Sequence, residues 1–209
     1  MSSLLLKKNI LIKRIFDILL AFLILVLTFW LIILSFIIAS LETKSFGIFH
    51  QQRIGKNGKK FMLYKIKTMK DFYSQHHVST DNDKRITNSG MLFRKSKIDE
   101  LPQLINILLG DMSFVGPRPD VPGYADSLKN EEKLILKIKP GLTGPASIKY
   151  RNESLLLNSK KNPIDYNDKI IWPDKVFINI KYIKNWSLIT DIKYILITIK
   201  LTIFDLLKI

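Results

Sequence analysis

The stretch Lys97-Ile98-Asp99-Glu100-Leu101-Pro102-Gln103-Leu104 continues through a short apolar segment into Gly110-Asp111-Met112-Ser113-Phe114-Val115-Gly116-Pro117-Arg118-Pro119. It begins on two adjacent carboxylates and ends on an arginine between two prolines, so one short span holds an anion of catalytic type and a cation suited to phosphate. Leu101, Leu104, Ile105, Leu108 and Leu109 keep helical apolar spacing and Gly110 supplies a stop, which predicts a short buried helix. Pro102 belongs in a first helical turn, where its missing N–H costs nothing. Asp99 and Glu100 then fall at the helix N-terminus, where unpaired N–H groups and the dipole favour an ionised carboxylate or a bound phosphate. Successive helical residues diverge by roughly 100°, so the two carboxylates need not share one task. An ionised aspartate can attack phosphorus, while magnesium typically takes one or two protein carboxylates beside the substrate's phosphate oxygens. Pro117 and Pro119 restrict the backbone on either side of Arg118, which suits a guanidinium fork aimed at a diphosphate. The same residues would also serve as an acidic helix start and an arginine in a surface turn.

Working outward, the N-terminal side carries Lys7, Lys8, Lys13 and Arg14 ahead of an apolar run from Ile18 to Ala39 in which only Thr28 and Ser35 have polar side chains. Such a run measures about 33 Å as a straight helix, enough to cross a bilayer. Lys44, Arg53, Lys56, Lys59 and Lys60 make its far flank basic too. The preference of basic residues for the cytoplasmic side would keep both flanks on one face. Asp17, in the membrane margin, needs a partner, and Lys13 or Arg14 is near enough in sequence. The natural division is 1–44 as basic N-terminus and membrane anchor helix and 45–209 as a cytoplasmic-face globular domain.

The whole chain has 209 residues, 33 Lys+Arg against 18 Asp+Glu, a formal +15, 47% hydrophobic residues and no cysteine. The charge calls for a polyanionic partner, and charge together with apolar content suits an anionic lipid surface. The absence of cysteine excludes disulfides, zinc thiolate sites and thiol catalysis. Phe46–Ile54 and Lys60–Ile66 flank Gly55-Lys56-Asn57-Gly58, and Asn-Gly between such runs signals a hairpin. Lys65 and Lys67 alternate with Tyr64 and Ile66, giving one basic sheet face. Asp71–Gly90 reads as a polar loop with a Thr80–Asp83 cluster, and His76-His77 lack the spacing of a helical metal pair. Arg94 is near enough to Asp99 to join a site, or to pair with the acidic loop. Glu131–Lys139 reads as an exposed helix ending at the turn dipeptide Pro140-Gly141. Leu188–Ile209 is an amphipathic helix with Asp191 among its interruptions, able to pack on the core or lie in the membrane interface.

Asp99-Glu100-Leu101-Pro102-Gln103, Gly110-Asp111-Met112-Ser113 and Gly116-Pro117-Arg118-Pro119 resemble the signature run of the bacterial sugar transferase family, the monotopic phosphoglycosyl transferases. The resemblance extends to Lys13–Asp17, Gln52–Gly55, Tyr64-Lys65 with Thr68-Met69, and Lys139–Gly144. It implies an α+β, mainly helical fold with a re-entrant N-terminal helix, a small β-hairpin and a helical catalytic domain carrying interfacial amphipathic helices. It further implies transfer of a phospho-sugar from a UDP-sugar to a polyprenol phosphate of the undecaprenyl type, at the cytoplasmic face of the inner membrane. UMP would leave, and a surface glycan would begin. In that reading Asp99 attacks the sugar-bearing phosphorus, Glu100 holds Mg2+, and Arg118, Arg94, Lys65 and Arg151 bind phosphates.

Two departures stand out. The family bends its anchor at a Ser-Pro pair, whereas this chain has Phe29-Trp30 there, with no glycine nearby and Thr28 as the local polar residue. A straight span therefore stays open beside the re-entrant form. Between Gly144 and Arg151 the family often has Trp-Ala-Gln-Val, but this chain has Pro145–Tyr150, where substrate contacts are expected. The chain also lacks the extra spans of longer members and reads as the minimal catalytic unit. The competing classes are a non-catalytic membrane-tethered binder of anionic lipid or nucleic acid, and a nucleotide-sugar binder without turnover. No nucleic-acid motif is recognisable.

Overall fold

The computed structural model describes residues 3–70 and 85–207. His76-His77 and the Thr80–Asp83 cluster lie outside the described residues. The architecture is α+β and mainly helical. Its elements in order are α1 (Ser3–Thr43), β1 (Ile48–Ile54), β2 (Lys60–Ile66), α2 (Asn88–Ser96), a 3-10 turn (Ile98–Glu100), α3 (Gln103–Leu109) and β3 (Ser113–Val115). After two further 3-10 segments come β4 (Gly141–Thr143), α4 (Pro145–Lys149), α5 (Glu153–Asn158), α6 (Pro163–Tyr166), α7 (Trp172–Lys184) and α8 (Leu188–Leu207).

Without proline or glycine to interrupt it, α1 runs as one helix of 41 residues, straight through Phe29 and Trp30 in its hydrogen-bond pattern. Thr28 donates to the Ile24 carbonyl one turn back, at 2.7 Å. Phe29 and Trp30 are exposed, as is much of the apolar run around them. Residues 10–43 are long and apolar enough to cross a membrane. Two stretches of α1 nevertheless grip one globular unit. Around its midpoint Leu20, Ala21 and Ile24 join the core around Leu104, Met112 and Val115. Near its end Ala39, Phe36 and Ile38 pack with Ile66 and Phe93, and Glu42 accepts from the Ser89 hydroxyl at 2.5 Å.

The polar margin of α1 is wired differently from the expected local pairing. Asp17 is buried and accepts from the Phe114 N–H at 3.1 Å. Arg14 donates to the Ile107 and Leu108 carbonyls, at 2.5 and 2.8 Å, capping the end of α3. Lys13 pairs with Asp191, across nearly the whole chain. Asp191, far from being an interruption of an amphipathic pattern, is fully buried. It also accepts from the Tyr182 hydroxyl at 2.6 Å and the Trp186 indole at 2.9 Å. Asp191→Ala removes the partner of Lys13 and of the half-buried Trp186 indole and leaves the Tyr182 hydroxyl only its longer bond to the Val115 carbonyl, and loss of one partner from a buried ion pair typically costs about 3–5 kcal/mol. Thermal unfolding in detergent is expected to show a large drop in midpoint, and an unchanged midpoint would contradict this account of the junction.

β1 and β2 form the expected antiparallel hairpin, with Ile48 opposite Ile66 and Ile54 opposite Lys60. Asn57 (φ 57°) and Gly58 (φ 74°) make the left-handed turn that Asn-Gly favours. Pro140-Gly141 is not a simple turn: Gly141–Thr143 is β4, parallel to β3, with Ser113 opposite Gly141 and Val115 opposite Thr143. The preceding helix is a 3-10 winding over Asn130–Lys137. At the β3–β4 contact a Cβ on Gly141 would lie 2.1 Å from the Gly116 nitrogen. Gly141→Ala is therefore expected to lose about 2–3 kcal/mol in unfolding experiments, as overpacking against rigid backbone does, and to displace the arginine loop that follows Gly116.

α3 ends at Gly110 (φ 96°), as the sequence predicts, but its buried face is different. Leu104, Asn106 and Ile107 are buried, whereas Ile105 and Leu109 point outward. The reason is Asn106. Its side chain accepts from the Tyr64 N–H at 3.2 Å and donates to the Met62 carbonyl at 2.7 Å, stitching α3 to β2 and rotating the apolar pattern.

Candidate active site

Each charged group of the candidate site is set by a local backbone device. α2 is capped at its start by Thr87, which accepts from the Gly90 N–H at 3.0 Å. It ends at Lys97 in the left-handed region, φ 61°. That reversal feeds the 3-10 turn carrying Asp99 and Glu100, both buried. The carboxylates thus precede α3 in a turn of their own, and side-chain cations rather than the helix start dominate their surroundings.

Lys65 comes from β2, two residues from buried Leu63 and so on the same strand face. Arg118 comes from the loop after β3, whose backbone is clamped throughout. The Gly141 N–H donates to the Pro117 carbonyl at 2.8 Å, and the Ile54 N–H to the Asp120 carbonyl at 2.9 Å. Arg53 adds a bond to the Pro119 carbonyl at 3.1 Å.

Three cations converge on one oxygen. Glu100 Oε1 lies 3.3 Å from Lys65 Nζ, 3.3 Å from an Arg118 nitrogen and 3.8 Å from Lys97 Nζ. Burial alone would raise the Glu100 carboxyl, but Lys65, Arg118 and Lys97 outweigh it and hold the group well below the usual carboxylate range. Asp99 goes the other way: burial, then the Glu100 charge, push it up to about 6 against Lys65, Lys97 and Arg94. Its Oδ1 is buried and has no hydrogen-bond partner among the described residues. Burial also pushes the Lys65 ammonium down, with Glu100 opposing. Adjacent carboxyls driven apart in this way suit two different tasks.

Glu100, Lys97 and Arg118 line one end of a cleft of about 710 Å³, with Asp99 buried beside that wall. The cleft extends past Ile24, Thr28 and Leu31 of α1 and along α8. Of the residues singled out in the sequence, Asp99, Glu100, Lys65 and Arg118 are thus assembled. Arg94 stands behind them, donating to Thr68 Oγ1 at 2.9 Å and Met69 Sδ at 3.0 Å. Arg151 lines the same cleft but pairs with Asp205 of α8 at 3.7 Å. Lys97 is the cation that sequence reasoning passed over, although it adjoins the carboxylates. Asp120, Lys175 and Asn179, which also line the cleft, carried no motif signal that physical reading used.

Magnesium fits this set in a restricted way. No group of three acidic or histidine residues able to cage an ion occurs among the described residues. The ion commonly takes one or two carboxylates and fills its shell from substrate phosphates and water, and Glu100, on the wall of the cleft, offers one such carboxylate.

The bacterial sugar transferase family model matches residues 8–205. The chain is 35% identical over 188 residues to the uncharacterized sugar transferase EpsL of Bacillus subtilis (strain 168), covering 90% of this chain and 85% of that protein. It is 34% identical over 197 residues to the UDP-glucose:undecaprenyl-phosphate glucose-1-phosphate transferase of Escherichia coli (strain K12), covering 91% of this chain but 40% of that protein. A putative undecaprenyl-phosphate N-acetylgalactosaminyl 1-phosphate transferase of Bacillus subtilis (strain 168) is 43% identical over 122 residues, 57% of this chain and 68% of that one. The family match runs from the Lys13–Asp17 end of α1, through the carboxylate turn and the arginine loop, to the end of α8, and on that extent the chain belongs to the bacterial sugar transferase family.

Proposed function

We propose that this protein transfers a sugar phosphate from a UDP-sugar to a polyprenol phosphate, releasing UMP. The observation that carries the reading is the Asp99-Glu100 turn: one carboxyl strongly ionised under three cations, its neighbour raised and unpaired, at the end of a cleft that continues between two largely apolar helices. The names of several relatives as undecaprenyl-phosphate sugar-phosphate transferases support it.

In the first step the Asp99 carboxylate attacks the sugar-bearing phosphorus. A P–O bond forms to Asp99, the bond to the bridging oxygen breaks, and UMP leaves with that electron pair. In the second, a phosphate oxygen of the lipid attacks the same phosphorus, frees Asp99 and yields the polyprenyl diphosphate-sugar. One phosphoric anhydride replaces another, so positioning and charge neutralisation are the main demands. Arg118, Lys65 and Lys97 would neutralise the donor diphosphate, with Arg151 further along the cleft and Arg94 supporting the turn. Bound magnesium, held by Glu100, would supply further charge neutralisation at the phosphates.

The anchor fits a site at headgroup depth. One globular unit holds both the first half of α1 and its end, so a crossing would have to put about 30 Å of hydrocarbon between groups that touch the same body. In this reading α1 stays with the globular unit at one face, the cytoplasmic face of the inner membrane, rather than crossing to the other side. Cysteines introduced in residues 1–7 and 56–60 should label from the same side with an impermeant reagent.

The reaction is tested by UMP release from a panel of UDP-sugars by the detergent-purified protein, with magnesium, with and without polyprenol phosphate. Acceptor-dependent release from one donor supports the proposal, and a stoichiometric burst without acceptor supports the aspartyl intermediate. Undiminished release by Asp99→Asn would refute the mechanism.

A further inference from the structure

The cleft has two chemically different walls. Toward α1 and α8 it is lined by apolar side chains such as Ile24, Leu31, Ile199 and Ile203, and an isoprenoid chain suits that side. Elsewhere it is lined by Asp120, Glu153, Lys175 and Asn179. Lys175 and Asn179 are one turn apart on α7 and share a face. Lys175 Nζ is 2.7 and 2.6 Å from the two Glu153 carboxylate oxygens and 5.7 Å from the Tyr150 ring centroid. Burial raises the Asp120 carboxyl to about 6, against the pull of Lys175, Arg53 and Arg118.

Asn179 supplies the independent sign of a ligand. It is 6% exposed, and among the described residues its Oδ1 has no hydrogen-bond partner. Native proteins pair nearly all such buried atoms, and a wall of a cleft is where an incoming donor would complete the pairing.

The chemistry of this wall selects its occupant. Two carboxylates and an amide oxygen around one ammonium repel a diphosphate relative to the Arg118 end. An isoprenoid chain laid against them would desolvate charges without compensation. A ring of hydroxyl groups meets both demands, donating to the carboxylates and to Asn179 and accepting from Lys175. The Pro145–Tyr150 segment lines the same cleft through Ala146 and Tyr150.

Resting on the phosphoglycosyl transfer reading, we propose that Asp120, Glu153, Lys175 and Asn179 form the subsite that recognises the donor's sugar, a neutral hexose or acylamino-hexose. Arg118, Lys65 and Lys97 take the diphosphate, so sugar and phosphate recognition are separable.

The test is calorimetric binding of UDP and of UDP-glucose, UDP-galactose, UDP-N-acetylglucosamine and UDP-N-acetylgalactosamine to the full chain in detergent, in the Asp99→Asn background that leaves the donor intact. The quantity read is the ratio of the UDP dissociation constant to that of the preferred UDP-sugar. Asn179→Ala and Glu153→Gln are each expected to reduce this ratio roughly tenfold or more, as loss of a site's hydrogen bond to a substrate hydroxyl does, while UDP alone binds as before. In turnover with Asp99 intact, the loss falls on KM and narrows the preference among donors. Asn179→Ala should keep its thermal midpoint, since among the described residues its Oδ1 has no hydrogen-bond partner to lose, so it remains informative if Glu153→Gln folds poorly. An unchanged ratio in both variants, or an equal loss for UDP and UDP-sugar, overturns the subsite while leaving the transfer reaction standing. A wild-type protein that binds no uridine nucleotide overturns both.

Discussion

Replacing Asp99 by asparagine is expected to lower acceptor-dependent UMP release by roughly a thousandfold or more, the scale on which removal of a covalent nucleophile acts. Donor binding should survive, because the cations around Glu100 are untouched. The folded protein should not suffer either. An acid whose pKa is raised from 3.8 to about 6 binds its proton more tightly folded than unfolded. Stability therefore falls as pH rises between those values, and the deficit persists above them. Asparagine carries no such deficit, so the variant should unfold at or above the wild-type midpoint at pH 8. Activity gives the complementary sign. In the proposed mechanism only ionised Asp99 attacks, so kcat/KM of the wild type should rise with pH through about 6. A flat profile across that range would argue against Asp99 as the group that titrates in catalysis.

The second large effect belongs to Glu100→Gln. Lys65, Arg118 and Lys97 all share the Glu100 Oε1 atom, so glutamine removes their common counter-ion while keeping the shape. A hundredfold or greater fall in kcat is expected, about what the loss of a preorganised charged group costs. The more discriminating readout is the acid limb. After burial, the Glu100 charge is the chief reason that Asp99 is raised, so the residual activity should show that limb moved to lower pH. An acid limb that stays near 6 would separate the two carboxyls and undo the argument that each sets the other's role.

Much of this was legible in the sequence because it is local. The apolar run from Ile18 to Ala39 has the length and composition of a membrane helix whatever surrounds it. Asn57-Gly58 selects its hairpin through backbone sterics, and Gly110 stops α3 for the same reason. The Asp99-Glu100 pair and the proline-flanked Arg118 are candidates for phosphate chemistry by residue type, and equally for an acidic helix start and a surface arginine. Tertiary structure decided what no spacing encodes. Asn106 turned α3 so that Ile105 and Leu109 face outward, because its amide found the edge of β2. Asp191 became the buried partner of Lys13, since the first and last helices meet at one junction. Asp17 took a backbone N–H from Phe114 rather than a neighbouring cation. The opposed shifts of Asp99 and Glu100 depend on Lys65 arriving from a strand and Arg118 from a clamped loop, and on how deeply the turn is buried. Those are sums over distances in space, which a chain order does not contain. The residue types that can do the chemistry are thus written in the sequence, while the division of labour between them follows from the charges that folding brings within reach.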